Sequence, residues 1–444
     1  MDDESRPSKK PRGGAGSGLT AFALRMAKQL HGTKKKNLAK KKNLVFSPLS
    51  LYVALALVVS GARRDTLDEL LALLGAASRE ELDEFARGVA ERALADQSAA
   101  GGPRVAFACG LWHEKTLALK PAYRDAAVDA YKAETRAADF VFKVSYYARS
   151  TTKEAREEIN RWVSKATSDL ITSILPERSV HPLTGMVLAN AIYFKGSWSL
   201  PFDKELTVTR RFRRLDGSRV RVPFMSSGRS TKQAVAQYKG FKVLKLAYAP
   251  YRIPTWDESP YQMRWDEREK KHVLSHVSSE SSGGARFSMC VFLPDARAGL
   301  PGLVDRMAAA GPSFLWDHLP KDRVEVGEVR LPRFKLSSSS KLKPVLQAMG
   351  VEAAFDADRA HLSGMLVAGW LVLEQVFHKA VVEVNEEGTE AASSGACTIM
   401  LISDRLGPTP DFVADHPFAF FVVEEVSGTV VFMGHVLDPS EHAE

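Results

Sequence analysis

Hydrophobic positions recur at two different spacings along the chain. In the first third they fall three or four residues apart, the spacing of one face of an α-helix. A segment that follows Ser47 and Pro48 (LSLYVALALVVSGA) is instead apolar almost all round, which is typical of a fully buried helix. Besides that buried helix, the pattern predicts helices over 19–31, 66–75, 79–95 and 151–175.

Strand-forming runs rich in Val, Phe, Ile and Tyr dominate the second half. The final run contains Val426–Thr429 (VSGT) between two apolar arms, which predicts a β-hairpin. Because helices precede most of the strands instead of alternating with them, the pattern favours an α+β fold. The predicted strand segments begin at residues 104, 185, 241, 286, 324, 379 and 418.

The basic residues cluster at the start of the chain. Residues 1–44 contain twelve Lys and Arg but only three Asp and Glu. Their net charge of +9 (12 − 3) therefore exceeds the net charge of +8 of the whole chain. We expect residues 1–18, which are polar and contain Pro and Gly, to be a disordered basic tail, and residues 19–444 to form a single domain. Two KKKN repeats within 34–43 predict an exposed loop.

A long polar segment interrupts the strand pattern at residues 250–285. It combines Pro, Gly and Ser with dense charge, and loops longer than about 15 residues are uncommon in compact domains. We expect a disordered surface insertion there, with a partner-binding loop as the alternative.

Several classes of function find no support in the pattern. No apolar run approaches the roughly 18 residues that span a bilayer, so we expect no membrane partner. Cys109, Cys290 and Cys397 form neither a disulfide framework nor a zinc motif. No nucleophile elbow, zinc-protease motif or phosphate-binding loop occurs. We therefore expect neither an enzyme nor a bound metal or cofactor.

A run of small residues at 387–398 (EGTEAASSGACT) follows a strong strand pattern. One interpretation is a flexible linker. The other is a segment able to enter a crowded sheet as a new strand, because one face of such a strand would carry only small side chains. Those side chains are Thr389, Ala391, Ser393, Gly395 and Cys397.

Five ordered motifs connect the sequence to a known family. They are NLVFSPLSLYVALALVVSGA, LANAIYFKGSWSLPFD, VRLPRFKL, FHKAVVEVNEEGTEAA and DFVADHPFAFFVVEEVSGTVVFMGHVLDP. In these motifs the chain resembles the serpins, and most closely the plant serpins, over about residues 19–440.

The resemblance implies a fold of three β-sheets and about nine helices with an exposed reactive-centre loop, here residues 387–411. In that family the loop is bait for a protease. Cleavage gives a covalent acyl-enzyme, the loop inserts into the central sheet, and the trapped protease is distorted. The expected partner is thus a serine-type protease, or a papain-like cysteine protease, in a covalent complex. The alternative is a non-inhibitory serpin that acts as a storage, stress or binding protein.

The family's functional positions map onto this sequence one by one. The hinge residues correspond to Glu386, Glu387, Gly388, Thr389, Glu390, Ala391 and Ala392. The polar cluster beneath the central sheet corresponds to Ser47, Ser50, Asn190 and His378. Trp198 matches a tryptophan near the top of that sheet, and Arg333 is expected to pair with Glu386. Without the family, Ser47 would be a helix cap and His378 a core histidine.

The position of the cleaved bond follows from the family's count along the loop. Fourteen residues beyond Gly388 lies Ile402, with Ser403 after the bond. Counting back from the DHPF strand gives Leu401 or Ile402, and Arg405 is the basic alternative for a trypsin-like or arginine-specific protease.

Location and oligomeric state complete the expectations. No apolar stretch follows the first basic residues, so we expect a cytoplasmic protein instead of a secreted one. Lys9–Arg12 (KKPR) makes nuclear import the alternative. We expect a monomer. Nucleic acid is not an expected partner, because no aromatic side chain for base stacking lies among the lysines of the arm.

Overall fold

The computed structural model describes residues 15–32, 42–140, 148–251, 261–266, 271–276, 285–388 and 410–441. The helices in these ranges are α1 (Ala15–Gly32), α2 (Pro48–Gly61), α3 (Arg64–Leu74), α4 (Arg79–Ala93), α5 (Pro121–Tyr131), α6 (Ala148–Ala166), α7 (Leu300–Ala310), α8 (Ser313–Asp317) and α9 (Lys343–Ala348). The strands are β1 (Leu44–Phe46), β2 (Arg104–Glu114), β3 (Glu134–Ala138), β4 (Met186–Lys195), β5 (Val208–Arg213), β6 (Arg219–Tyr238), β7 (Phe241–Ala247), β8 (Tyr261–Asp266), β9 (Lys271–His276), β10 (Phe287–Pro294), β11 (Val324–Pro332), β12 (Phe334–Lys341), β13 (Gln375–Val384), β14 (Phe412–Val413), β15 (Phe418–Glu424) and β16 (Thr429–Val436).

Helix α1 begins earlier than its hydrophobic pattern predicts. It starts at Ala15, so the prediction of a disordered tail through residue 18 is wrong for its last residues. A Cβ atom on Gly18 would lie 2.4 Å from the carbonyl oxygen of Leu74, so α1 packs tightly against the end of α3 through this glycine. Glycine permits that close approach because it has no side chain.

Helix α2 has the buried environment that its sequence predicts. The Ser47 hydroxyl oxygen accepts a hydrogen bond from the Ser50 N–H at 3.1 Å and caps the helix, and Pro48 occupies the first turn. Its side chains are buried along nearly the whole length. The helix lies between the two large sheets, near β4 on one side and β16 on the other.

Helix α6 ends before residue 175, so the predicted 151–175 helix is too long. The Thr167 hydroxyl donates to the Val163 carbonyl at 2.8 Å and accepts from the Ile171 N–H at 3.1 Å. Ser168 and Asp169 then adopt positive φ angles of 50° and 61°, which no α-helix can continue through.

Five strands form the central sheet in the order β12-β13-β4-β2-β3. Strands β13 and β4 are parallel neighbours, with Gln375 opposite Val187 and Val382 opposite Phe194. Strand β4 is buried over nine of its ten residues. Helix α2 covers one face of this sheet, and α6 covers the other through Ile159, Trp162 and neighbouring apolar side chains.

The nine-stranded sheet is two sheets joined by the long strand β6. Its first part, up to Gln233, pairs with β5 and β11, while Ala234–Tyr238 pair with β7. Gly228 and Ser230 take positive φ angles within the first part, where its pairing with β11 is irregular. The remaining order is β1-β16-β15-β10-β7 on one side and β11-β14 on the other. With the central sheet this gives the three sheets that the resemblance implies.

The 250–285 segment contains regular structure that its composition does not predict. Strands β8 and β9 pair antiparallel, with Tyr261 opposite His276 and Asp266 opposite Lys271. The prediction of disorder throughout this insertion is therefore wrong for the two strands.

Candidate functional site at strands β4 and β13

The hinge begins in a tight turn directly after β13. The Gly388 N–H donates to the Asn385 carbonyl at 3.2 Å, and the Glu387 N–H donates to the Asn385 side chain at 3.1 Å. Gly388 takes a φ angle of 92°, a conformation that favours glycine. The chain thus turns back at the point where the resemblance places the start of insertion.

Gly388 is also closely packed. A Cβ atom there would lie 2.3 Å from the carbonyl oxygen of Gly196 and 2.4 Å from the backbone nitrogen of Trp198. Neither contact is sterically possible, and both atoms belong to backbone. Position 388 therefore requires glycine for its backbone conformation and for its surroundings.

The residues that follow β4 hold this turn in place. The Trp198 N–H donates to the Glu387 carbonyl at 2.9 Å, and the Phe202 N–H donates to the Glu386 carbonyl at 2.8 Å. The indole N–H of Trp198 donates to the Asn385 carbonyl at 2.9 Å. The indole ring stacks on Tyr248, with the ring centres 4.5 Å apart. Trp198 is thereby fixed on both sides and anchors the hinge to the top of the sheet.

Two glutamates of the hinge meet positive or hydrogen-bonding partners. The buried Glu386 carboxylate accepts from the Thr207 hydroxyl at 2.7 Å and lies 3.5 Å from Arg333 Nε. Glu387 forms an ion pair with Lys204. The Lys204 ammonium group donates a hydrogen bond to the Glu387 carboxylate in this pair, which raises the pKa of Lys204. The half-exposed Arg333 stands at the junction of β11 and β12, as its motif suggests.

A second group of polar side chains lies buried beneath the central sheet. Ser47, Ser50, Asn190 and His378 are all almost completely inaccessible to solvent. The Ser47 hydroxyl donates to the Val431 carbonyl at 2.6 Å, so it links α2 to β16 while its oxygen caps the helix. We name Ser47, Ser50, Asn190 and His378 the shutter cluster.

Hydrogen bonds within the shutter cluster cross from β4 to β13. Asn190 and His378 stand directly opposite each other on the two strands. The oxygen of the Asn190 side chain is 2.8 Å from His378 Nδ1 and accepts from the Ser50 hydroxyl at 2.8 Å. The Asn190 amide group donates to the Ser50 carbonyl at 3.2 Å. Any strand that enters between β4 and β13 must break the bond between Asn190 and His378.

The protonation state of His378 follows from its partners. The Ser47 N–H donates to His378 Nε2 at 3.0 Å, so Nε2 carries no proton. Nδ1 then carries the proton and donates to Asn190. Burial lowers the pKa of His378 to about 3, so the ring is neutral at physiological pH.

The described residues contain part of the expected site. The hinge residues Glu386, Glu387 and Gly388, together with Trp198 and Arg333, meet at the top of the sheet, and the shutter cluster lies beneath its middle. The remaining expected residues lie outside the described residues: Thr389, Glu390, Ala391, Ala392, Leu401, Ile402, Ser403 and Arg405.

The sequence did not point to several partners of the hinge. Asn385, Thr207, Lys204 and Tyr248 contact it in the structure. Thr207 and Lys204 belong to a polar stretch without a recognisable pattern, so no signal marked them. The KGSW motif around Gly196 could have suggested a close backbone approach, because a glycine at a strand often marks a place where another backbone comes near.

The described part of the chain shows no sign of two other kinds of site. In it, no three or more His, Cys, Asp or Glu side chains converge as a metal site would require. Nor does any helix in it have the length and apolar character needed to cross a membrane.

Relatives and solved structures match nearly the whole chain. The family model described as Serpin (serine protease inhibitor) matches residues 17–439. Serpin-Z2A of Oryza sativa subsp. japonica is 55% identical over 434 residues, which cover 96% of this chain and 98% of that protein. Serpin-Z1C of Triticum aestivum is 40% identical and covers 95% of each chain.

A solved structure described as Arabidopsis AtSerpin1 in its native stressed conformation superposes with a TM-score of 0.79. It is 35% identical, and the match covers 96% of this chain and 98% of that one. The family match, the plant relatives and the shared fold lead to one conclusion: this chain belongs to the serpins, a family described as serine protease inhibitors, and is similar to plant serpin-Z proteins.

Proposed function

We propose that the protein is a single-use inhibitor of serine-type endopeptidases, which traps its protease by loop cleavage and insertion. The protease nucleophile attacks the carbonyl carbon of Ile402, and the amino group of Ser403 leaves with the proton. The protease stays attached to Ile402 as an ester. A papain-like cysteine protease would form the corresponding thioester.

The parallel pairing of β4 and β13 is the observation that supports this proposal best. Strand β13 leads into the hinge, where the chain reverses at Gly388, so a loop that enters between β13 and β4 runs antiparallel to both. One parallel ladder is then replaced by two antiparallel ladders. Antiparallel pairing is slightly more stable per residue, and the new strand adds a whole ladder.

The length of the loop suits this insertion. Fourteen residues separate Gly388 from Ile402, which is roughly 46 Å of extended chain. The ten residues of β4 extend for roughly 33 Å. The inserted segment would therefore run along all of β4 and carry the bond at Ile402 to the far end of the sheet.

A panel of serine and cysteine proteases tests the proposal. We expect a covalent product near the summed mass on a denaturing gel, with a C-terminal peptide released at the cleaved bond. Sequencing that peptide distinguishes Ile402 from Leu401 and Arg405. Cleavage by every active protease without a covalent product would contradict the trapping mechanism.

Thr389→Arg tests insertion itself. A long charged side chain would have to enter the sheet at the first inserted position, and burying an unpaired charge costs several kcal/mol. We expect cleavage without trapping. Thr409→Arg is the matched control, since it makes the same change beyond the cleaved bond and should trap like the parent chain. Equal trapping by both variants would refute insertion at this point.

The non-inhibitory alternative rests on the loop's composition. Ser393 and Ser394 would bury hydroxyl groups on insertion, and Gly395 is a poor strand former. A solved structure of human thyroxine-binding globulin in complex with thyroxine has the same fold, with a TM-score of 0.74 at 21% identity. For this chain, a binding role without trapping predicts slow or absent insertion after cleavage.

A further inference from the structure

A hairpin that carries three exposed arginines and the partly buried Arg213 lies at the edge of the nine-stranded sheet. Strand β5 pairs with β6, and the register sets Arg211 opposite Arg221 and Arg213 opposite Arg219. The side chain of Phe212, between the two β5 arginines, is buried. Since side chains alternate between faces, the four arginines share the other, outward face. We name these four residues the arginine square.

The backbone pattern brings the members of each opposite pair close together. The Arg213 N–H points away from β6 and donates to the Asp415 carbonyl at 2.8 Å, whereas the Arg214 N–H donates to Ser218 of the hairpin. Arg213 and Arg219 are therefore a non-hydrogen-bonded pair, and so are Arg211 and Arg221, two residues along. Such pairs have Cα atoms about 4.5 Å apart, and like charges at this spacing destabilise a hairpin.

The charges of the arginine square are not neutralised within the described residues. There, none of the four guanidinium groups forms an ion pair, although Arg214 beside them pairs with Asp438. The carboxylate in the hairpin turn, Asp216, instead accepts hydrogen bonds from the N–H and hydroxyl of Ser218. The square thus presents three exposed positive charges, with the partly exposed charge of Arg213 beside them.

The outer edge of β5 also offers backbone hydrogen-bonding groups. By the same alternation, the N–H groups of Thr209 and Arg211 point away from β6. Pro223, opposite Thr209, agrees with this pattern because a proline has no N–H to donate. Among the strands that the structure describes, β5 pairs with β6 alone. Thr209 and Arg211 therefore offer backbone donors along this edge, whereas the Arg213 N–H is already bound to the Asp415 carbonyl.

We propose that this edge binds an extended acidic segment of a partner protein, which adds to β5 as a further strand and carries carboxylates at alternate positions. Alternate residues of a strand are about 6.8 Å apart, so carboxylates on a docked strand would match Arg211 and Arg213 in spacing. Arginine suits carboxylates because it can donate two parallel hydrogen bonds.

Nucleic acid fits the same surface less well. The outward face of the hairpin consists of Thr209, Pro223 and the arginine square, so it has no aromatic side chain on which a base could stack. Arginines on an edge strand can alternatively serve only to prevent pairing with another molecule. The experiment separates both possibilities from the proposal.

The test uses the full chain without any protease, so its outcome is independent of the inhibitory function. The probe is a fluorescent eight-residue peptide of alternating Glu and Thr, measured by anisotropy at low and high salt. The control peptide repeats Glu-Glu-Thr-Thr twice, so it has the same charge but no two Glu at alternate positions. We expect the alternating peptide to bind more tightly and salt to weaken that binding.

Three variants examine the contacts. Arg211→Gln with Arg221→Gln should weaken binding about tenfold, because two exposed charge pairs are lost. The matched control, Arg87→Gln with Arg124→Gln, removes the same charge from exposed positions on α4 and α5 and should bind like the parent chain. Thr209→Pro keeps the charge but removes an outward N–H, and should abolish binding. Thermal midpoints verify folding.

Any of four results would overturn the proposal. They are equal binding of both peptides, equal loss in the two double variants, unchanged binding by a folded Thr209→Pro chain, and tighter binding of a single-stranded oligonucleotide than of the alternating peptide. If Thr209→Pro fails to fold, the peptide pair and the double variants still decide.

Discussion

At the scale of single residues, Gly388 controls how the hinge is anchored. Gly388→Ala would place a Cβ atom against the backbone of Gly196 and Trp198 at a positive φ angle. We expect the intact chain to lose about 1–3 kcal/mol of stability, measured by thermal or urea unfolding.

Gly88→Ala is the control for that substitution. Gly88 lies within α4, and a Cβ atom there would meet nothing within 4 Å. Alanine is the better helix former, so this variant should gain roughly 0.5–1 kcal/mol. A Gly388→Ala chain as stable as the parent would mean that the hinge turn is not held as tightly as its contacts indicate.

His378 predicts a pH dependence of stability. The pKa of its ring is about 3 in the folded chain because of burial, and near 6.5 in the unfolded chain. Above pH 6.5 both states are neutral and the full stability is present. As pH falls from 6.5 towards 3, only the unfolded state takes up the proton, so stability falls by about 1.4 kcal/mol per pH unit.

His378→Gln isolates this contribution from the other histidines. We expect the stability difference between parent and variant to shrink by about 2 kcal/mol between pH 6.5 and 5, as measured by urea unfolding. Parallel pH profiles of the two chains would show that His378 is not kept neutral by the fold.

At the scale of elements, the contact between β4 and β13 can be locked. Ala191 and Lys379 are opposite each other in the register, and neighbouring strands bring Cα atoms within the range that a disulfide needs. With cysteine at both positions, the oxidised chain should be cleaved without trapping protease, and reduction should restore trapping.

The two single cysteine variants control for the substitutions, and the two natural cysteines in the described chain, Cys109 and Cys290, are buried. The measurement is the ratio of covalent complex to cleaved product on a denaturing gel, with and without reductant. Undiminished trapping by the oxidised double variant would exclude strand separation at this position.

Elements with strong periodic patterns could be predicted from the sequence, and the others could not. The predicted strand from residue 104 and the hairpin around Val426–Thr429 agree with β2, β15 and β16, because apolar and β-branched side chains mark them throughout. Strand β5 went unpredicted, since arginines occupy half of it and its pairing depends on a partner strand.

The residues of the candidate site likewise divide into those that lie within a sequence motif and those that do not. Ser47, Ser50, Asn190 and His378 lie within motifs that the resemblance could align, so their proximity was expected. Thr207 reaches Glu386 across 179 residues of sequence, and only the folded backbone reveals that contact. Side chains that meet through tertiary structure, outside a motif, leave no local pattern.

At the scale of the whole molecule, cleavage of the loop should raise stability. In the intact chain β4 and β13 are direct neighbours, so the sheet has not yet gained the strand that follows the hinge. We expect the thermal midpoint to rise after cleavage near Ile402, because insertion adds ladder hydrogen bonds and buries further side chains. Calorimetry of intact and cleaved chains measures this.

The Thr389→Arg chain is the control for that comparison. Its cleaved form should retain the midpoint of the intact protein, since its loop cannot enter the sheet. An unchanged midpoint after cleavage of the parent chain would favour the non-inhibitory alternative.

Strand β6 runs through twenty residues and ties two sheets into one continuous body, yet the five-stranded sheet shares no strand with it. On the proposed mechanism, the two sheets joined by β6 are the frame, and the five-stranded sheet is the part that moves. Strands β4 and β13 can separate without breaking any strand pairing within the nine-stranded sheet, because the two sheets share no strand. Amide hydrogens of β6, β15 and β16 should stay protected from exchange while those of β4 and β13 become briefly accessible, because the proposed insertion opens the five-stranded sheet and leaves the frame unchanged.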